Sequence, residues 1–270
     1  MRNTWSYQKG NPEEVPATPV MAETSSHQEE ELLLNSVSPA YKKGESYEEV
    51  KSFVIIFSGG RETELAYLKP VRNEMLFPNI KIDVFVEDEF DKQDEELLFK
   101  PRIFDFAIDK IKEDYLSGAS PEMPDSYYLI TDVDHFKEAI VANEEKCREI
   151  NLQLMVSNPC FEVWLYYSKH ADRFQGFVVP DKNLSHSVKK FVNNSVKGGL
   201  NTGKCIYDIK QNILNAETNY ECDDCGFPTL FSTNVFLMAK QILPYIESGL
   251  DAIRRSMEEK RKLYKKSHEE

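Results

Sequence analysis

Four short apolar segments recur between residues 50 and 160, and each is followed by a segment of helix length. Residues 52–57 form a continuous apolar run, which is typical of a strand covered on both faces. In residues 80–86, Ile80 and Ile82 alternate with Lys81 and Asp83, as expected for a second strand. Residues 127–131 and 152–156 have the length and composition of a third and a fourth strand.

Helical patterns fill the intervals between these strands. They cover residues 61–75, 97–116 and 136–150. Strands that alternate with helices of this length form βαβ units, so the pattern predicts an α/β fold with a mainly parallel four-stranded sheet flanked by helices.

The C-terminal part is predicted to be mostly helical, with an irregular stretch at about 171–185. The dipeptide Asn158-Pro159 has Pro near a helix start, which predicts a helix running to about His170. Further on, the pattern predicts helical segments at 234–243 and 245–264, and Pro244 between them should end or kink the run.

Composition divides the chain into three predicted regions. Residues 1–46 are rich in Pro, Ser, Glu and Gln and lack periodicity, so they are predicted to be a flexible arm. Residues 47–170 are predicted to form the α/β core. Residues 171–270 are predicted to form a helical part packed on that core.

Net charge, the length of apolar runs and the cysteine content restrict the classes of function that are compatible with this sequence. A net charge of −13 argues against a protein that coats nucleic acid, although an enzyme with a local basic groove remains compatible with it. No basic amphipathic stretch favours a lipid surface, and no apolar run approaches the roughly 18 residues of a membrane helix. The five unevenly spaced cysteines fit a reducing compartment, and the first residues do not resemble a signal peptide. We therefore expect a cytoplasmic protein.

The strongest chemical signal is the pair Asp132 and Asp134, which follows the third apolar run directly. Residues two apart on an extended strand point to the same face, so the two carboxylates are predicted to converge where the strand ends. Ligand sites in open α/β sheets occur at such strand ends. Paired carboxylate oxygens favour a divalent cation such as Mg²⁺ or Mn²⁺.

The segment that contains this pair is one of four segments that together extend the signal. After strand one the chain reads Gly60-Arg61-Glu62-Thr63-Glu64, and after strand three it reads Asp132-Val133-Asp134-His135-Phe136. After strand four it reads Ser157-Asn158-Pro159-Cys160-Phe161-Glu162-Val163-Trp164, and near the end Ser232-Thr233-Asn234-Val235. The order and spacing resemble a Toprim-type fold, and over about residues 50–245 they more closely resemble the RloB family, Toprim-related proteins of bacterial phage-defence loci.

The resemblance implies a metal-dependent nuclease-type effector controlled by an ABC-type ATPase. Fold-level analogy points to RNA or tRNA as its nucleic-acid substrate. The residues themselves suggest that Asp132, Asp134 and Glu64 (or Glu62) hold the metal and that Glu162 binds metal or acts as a base. The candidate phosphate contacts are the backbone of Ser58, Gly59 and Gly60 and the side chains of Arg61 and Lys204. A homo-oligomer is compatible with the sequence.

One departure from the family pattern leaves a second interpretation open. The leading glutamate of the strand-one motif falls on Gly59 or Ser58, neither of which carries a carboxylate. The chain is then either an enzyme in which Glu62 or Glu64 substitutes, or a non-catalytic binding module that keeps the fold. A phosphatase on another α/β scaffold, with Asp132 as nucleophile, ranks lower because such a nucleophile normally follows the first strand.

Simpler structural roles are the alternatives at several positions. Asp134 is a credible N-cap, and Glu62 and Glu64 suit a first helical turn. Phe161 and Trp164 are predicted to be core residues. The pair Cys222 and Cys225 is predicted to lie in a polar loop, with a zinc site completed by Cys205 and His186 as the lesser alternative.

Overall fold

Four parallel strands form the centre of the computed structural model. They are β1 (Lys51–Phe57), β2 (Ile80–Val86), β3 (Ser126–Asp132) and β4 (Leu152–Ser157). The sheet order is β2-β1-β3-β4, and every neighbouring pair is parallel. The two runs with the most continuous apolar sequence, β1 and β3, occupy the centre, as strands covered on both faces should. The predicted four-stranded parallel α/β architecture is confirmed.

The structure describes residues 50–58, 61–72, 76–86, 102–117 and 124–266, all of which belong to one compact unit, Glu48–Glu270. Within these segments, the side chains of residues 61, 62, 86, 102, 134–136, 265 and 266 are not described. The prediction of a flexible arm at residues 1–46 lies outside the described residues.

The helices follow the strands in chain order. After β1 comes a short composite segment: a π-helical turn (Arg61–Leu65), α1 (Ala66–Leu68) and a 3₁₀ turn (Lys69–Arg72). α2 (Arg102–Ile111) continues into a π-helical turn (Lys112–Leu116), and α3 (Val133–Glu149) connects β3 to β4. The C-terminal part contains α4 (Glu162–Tyr166), α5 (Leu184–Asn194), α6 (Thr202–Cys205), α7 (Ile209–Thr218) and α8 (Val235–Lys266).

Alternate residues of the strands supply two separate cores. Phe53, Ile55 and Phe57 of β1 pack with α1 and the C-terminal helices on one face of the sheet. Val54 and Ile56 pack with α2 and α3 on the other face. Burial on both faces explains why this strand has no polar alternation in its sequence.

The predicted helix start at Asn158-Pro159 and the predicted helix end at Pro244 are wrong, whereas the alternative of a kink at Pro244 stays a prediction. The helix after β4 begins at Glu162 rather than at Asn158-Pro159, because the Asn158 backbone bonds elsewhere: its N–H donates to the Ser232 carbonyl at 3.0 Å, and its carbonyl accepts from the Phe231 N–H at 2.8 Å. Pro244 does not end its helix, since α8 runs through it. The buried side chains Ile242 and Ile246 hold α8 on the sheet at both sides of the proline, and this packing outweighs the backbone bond that proline removes.

α8 is the longest helix of the described residues, and much of its C-terminal half is charged and exposed. Among the described residues, no helix has both the length and the apolar character that crossing a membrane requires.

Candidate active site

The carboxyl ends of β1, β3 and β4 meet at one edge of the sheet. The strand register places Phe57 beside Ile130, and Asp132 beside Ser157. Three of the segments that the sequence singled out follow these strands and leave the sheet at this edge. Because the strands are parallel, side chains that follow them are brought within reach of each other despite large sequence separations.

Ser58 has a structural role at this edge. Its backbone N–H donates to the Ile130 carbonyl at 2.9 Å, and its hydroxyl donates to the Thr131 hydroxyl at 3.1 Å in a buried contact. The Ser58 N–H is therefore engaged in the sheet, and a part for Ser58 in a phosphate cradle stays a prediction. The other two residues predicted for that cradle, Gly59 and Gly60, lie outside the described residues.

Asp132 is the last residue of β3 and sits at the N-cap position of α3. Its backbone is extended (φ −100°, ψ 146°), yet its side chain makes no capping hydrogen bond to the helix. A capping role would have explained the carboxylate without any function. The Asp132 side chain is partly buried, and its negative charge acts on the pKa of Lys189, as described below.

Asp134 does not share a strand with Asp132. α3 begins at Val133, so Asp134 is its second residue. The premise that both aspartates extend from one strand face is wrong, and so is the alternative that Asp134 is the N-cap. The sequence pattern gave the wrong position for Asp134 because α3 begins immediately after the apolar run, with no turn between them. The Asp134 side chain lies outside the part of the structure that is described.

Glu64 lies in the π-helical turn that follows β1, and its side chain is buried, with 8% of the residue exposed. A carboxylate in a first helical turn usually faces water, so burial here is unusual and requires compensation by a cation or hydrogen bonds. The Glu62 and Arg61 side chains, in the same turn, are outside the described part.

Glu162 and Lys189 form an ion pair between α4 and α5. The Lys189 Nζ lies 3.8 Å from the Glu162 Oε1, and only 13% of the Glu162 side chain is exposed. Burial lowers the pKa of Lys189, but the nearby negative charges of Glu162, Asp132 and Glu64 together raise that pKa above its ordinary value. Glu162 pairs directly with this ammonium group, and the charges of Asp132 and Glu64, from two other segments, act on it in the same direction.

Cys160 lies next to these carboxylates and is fully buried. Burial first, and then the charges of Glu162 and Asp132, raise the pKa of its thiol far above the ordinary range. The side chain is therefore a neutral thiol, in agreement with the prediction that it is a small buried hydrophobe.

The residues 232–234 pair with the end of β4 and hold this edge of the sheet in place. Ser157 and Thr233 form an antiparallel bridge, with their hydroxyl oxygens 2.8 Å apart. The Asn234 side chain accepts from the Val156 N–H at 2.5 Å and donates to the Leu154 carbonyl at 3.3 Å. Two of the motif segments recognised in the sequence are thus neighbours that share hydrogen bonds.

Replacing Asn234 by alanine should lower the free energy of unfolding by about 1–3 kcal/mol, because two backbone groups of β4 lose their side-chain partner. Urea denaturation followed by circular dichroism measures this change. The exposed Asn194, the last residue of α5, provides a matched control when changed to alanine. An equal loss in both variants would contradict the role assigned to Asn234.

The remaining predicted residues of the described part are Lys204, Phe161 and Trp164. Lys204 is exposed on α6, where the backbone of Gly203 approaches the Ala66 carbonyl of α1. Its role as a phosphate contact stays a prediction. Phe161 and Trp164 are buried, and both pack edge-on against Tyr67, so the prediction that they are core residues is confirmed.

Cys222 and Cys225 are both exposed in a turn. The Asp223 carboxylate organises this turn by accepting from the backbone N–H groups of Cys225 and Phe227, each at 3.0 Å. The geometry supports the polar-loop interpretation. Within the described ranges, no group of three or more His, Cys, Asp or Glu side chains is arranged to hold a metal ion.

Sequence reasoning missed Lys189. Its helix, α5, buries Val188 and Val192, and this packing directs the neighbouring residue 189 towards α4. A local sequence pattern identifies α5 as amphipathic but does not reveal which helix it packs against. Its partner Glu162 could be proposed from the sequence, whereas the lysine that pairs with it could not.

These features define an α/β protein with a parallel four-stranded sheet, in which acidic residues lie at or after the carboxyl ends of β1, β3 and β4. The chain belongs to the RloB-like family: the family model described as RloB-like protein matches residues 54–268, which is most of the chain. No curated protein and no solved structure matched it in the same comparisons.

Proposed function

We propose that this protein is a metal-dependent nuclease-type effector of a bacterial anti-phage defence system. It acts on nucleic acid, with RNA as the first candidate, under the control of an ABC-type ATPase. The observation that carries the proposal is that β1, β3 and β4 end at one edge of the sheet, where Asp132 ends β3, the buried Glu64 follows β1 and Glu162 begins the helix after β4. Carboxylates grouped there are the usual means of holding a cation against a phosphodiester.

Carboxylate oxygens are the ligands that Mg²⁺ and Mn²⁺ prefer, but no three carboxylates of the described residues are grouped to hold such a cation, so the set would need a side chain outside that part. Asp132 and Glu64 would hold it, together with Asp134 or Glu62, whose side chains are outside the described part. When bound, such a cation polarises a phosphoryl oxygen and lowers the pKa of an attacking water.

The protein's own residues have separable roles in this proposal. Asp132 and Glu64 would provide negative charge at the sheet edge. The bonds of Ser58 to Ile130 and Thr131 join the end of β1 to β3 there. Glu162 is positioned to accept a proton from water at the same edge. The residues 232–234 keep the end of β4 in register, so that Glu162 stays on the same side as Asp132.

A non-catalytic binding module is the second candidate. Two observations favour it: Ser58, one of the two positions on which the missing leading glutamate falls, is bonded to Thr131, and Glu162 already pairs with Lys189. A module of this kind would use the same edge to bind a nucleotide, a phage product or the ATPase without cleaving anything. The burial of Glu64 favours the enzyme, since a module has no need for a buried carboxylate at this edge.

The test is a cleavage assay with the purified full-length protein and pools of RNA and DNA. We expect cleavage products with Mg²⁺ or Mn²⁺, and none when EDTA replaces the cation, because the cation supplies several kcal/mol of transition-state stabilisation. Addition of the neighbouring ATPase, with and without ATP, tests the proposed control. Absence of products under all of these conditions would leave the binding module as the better description.

A further inference from the structure

We propose that the C-terminal overhang of α8, residues 254–266, is a docking helix for an acidic partner protein. The partner surface that it fits is an apolar groove with carboxylates along its rim. This inference goes beyond the proposed function and does not depend on it, because the overhang and the candidate active site lie at opposite ends of the sheet.

α8 runs along the sheet from the carboxyl ends of the strands to their amino ends. Directly before its start, Asn234 bonds to the end of β4. Further along, Tyr245 contacts Phe53 near the beginning of β1, with ring centroids 6.1 Å apart, and Gly249 lies closely against Phe77, which precedes β2. The helix therefore leaves the sheet at its amino edge, and at 1.5 Å per residue the overhang extends about 20 Å further.

An apolar stripe continues along the overhang after the core has ended. Ile246 and Leu250 are buried, and Ile253 is half-buried against the same core. Met257 and Leu263 continue at helical spacing, yet they are 42% and 67% exposed. Because an amphipathic helix normally buries its apolar stripe against another element, this exposed part is a face that a partner can cover.

The charge of the overhang is opposite to that of the chain. The overhang contains seven basic and two acidic residues, a net charge of +5, whereas the whole chain carries −13. At 3.6 residues per turn, Lys260 and Arg261 lie beside the apolar stripe. Charge complementarity therefore selects a partner whose groove carries acidic side chains at its rim, and the same charges steer the encounter.

The combination of stripe and charge favours a protein over a nucleic acid or a lipid surface. Phosphate contacts need basic side chains but no stripe of Met and Leu. Helices that lie in a lipid interface need a wide apolar face and a strongly basic polar face, whereas Glu258 and Glu259 interrupt the basic residues here. A helix that lies in a groove uses anchors three or four residues apart, which is the spacing of Ile253, Met257, the aliphatic stem of Lys260 and Leu263.

The test uses the full chain and, as a probe, a labelled synthetic helix with Leu along one face and Glu on both sides of that face. The wild type should bind this probe with a dissociation constant of about 1–100 μM, measured by fluorescence anisotropy at low salt. Lys260→Glu/Arg261→Glu should weaken binding by about 10- to 100-fold, because two attractive charges become repulsive. Met257→Gln/Leu263→Gln should weaken it by about 10-fold, because two apolar anchors are lost.

The matched control is Arg255→Glu/Lys262→Glu, which changes the net charge equally on the opposite side of the helix. It should stay within about 3-fold of the wild type, because charges away from the contact are screened by salt. All six side chains are exposed, so circular dichroism and thermal melts should show an unchanged fold in the three double variants.

Equal weakening by the two charge-reversed pairs, or no binding of the probe at concentrations up to about 1 mM, overturns the inference. An RNA strand or phosphatidylserine vesicles that bind the wild type in place of the probe, and bind Met257→Gln/Leu263→Gln less, would also overturn it. A dimer in sedimentation that the same variant loses would assign the stripe to a second copy instead. Absence of nuclease activity would not affect the inference, since none of these measurements involves cleavage.

Discussion

Replacing Asp132 by alanine is expected to reduce cation-dependent cleavage by about 100- to 1,000-fold, the range that removal of one preorganised electrostatic group typically costs. Asp132 ends β3 in an extended conformation, and its side chain makes no capping bond that would assign it to α3. Initial rates on the cleaved nucleic acid, measured in Mg²⁺ and in Mn²⁺, provide the test.

The matched control for this substitution is Asp109→Asn, on the exposed side of α2. It alters the same type of residue far along the chain from the strand ends and should leave the rate unchanged. Comparable thermal stabilities of the two variants separate a local loss of chemistry from unfolding. A rate in Asp132→Ala equal to that of the wild type would remove Asp132 from the site and with it the nuclease proposal.

Strand positions could be predicted from the sequence because burial on both faces leaves an unambiguous apolar run. Residues 52–57 were predicted for β1, and the strand spans Lys51–Phe57. The predicted limits of β2 agree with Ile80–Val86. In each case the signal is local, since the residues that define the strand are consecutive in the chain.

Helix boundaries failed where contacts distant in sequence decide them. Asn158 is held by the loop at residues 231 and 232, so the helix after β4 starts four residues late. The continuation of α8 through Pro244 depends on packing against the sheet. No local pattern reports either contact, because both partners lie tens of residues or more away in the chain.

The candidate site also combines residues that the local sequence predicts with residues that depend on distant contacts. The carboxylates Asp132, Glu64 and Glu162 could be proposed because each follows a strand, and strand ends share an edge in a parallel sheet. The helical position of Asp134 could not be foreseen, since the strand and helix meet without a turn. Lys189 could not be foreseen either, because its place depends on how α5 packs beside α4.

Glu64→Gln is expected to lower Mn²⁺ affinity and the cleavage rate by about 10- to 100-fold each, as loss of a carboxylate near a metal commonly does. Stability should change by no more than about 1 kcal/mol, because glutamine keeps the shape while it removes a buried charge. Calorimetric titration with Mn²⁺ and thermal melts measure the two effects, with the exposed Glu145→Gln of α3 as control. Loss of stability without loss of Mn²⁺ affinity would show that Glu64 serves only the fold. Loss of affinity at unchanged stability is the outcome that only a cation-binding edge explains.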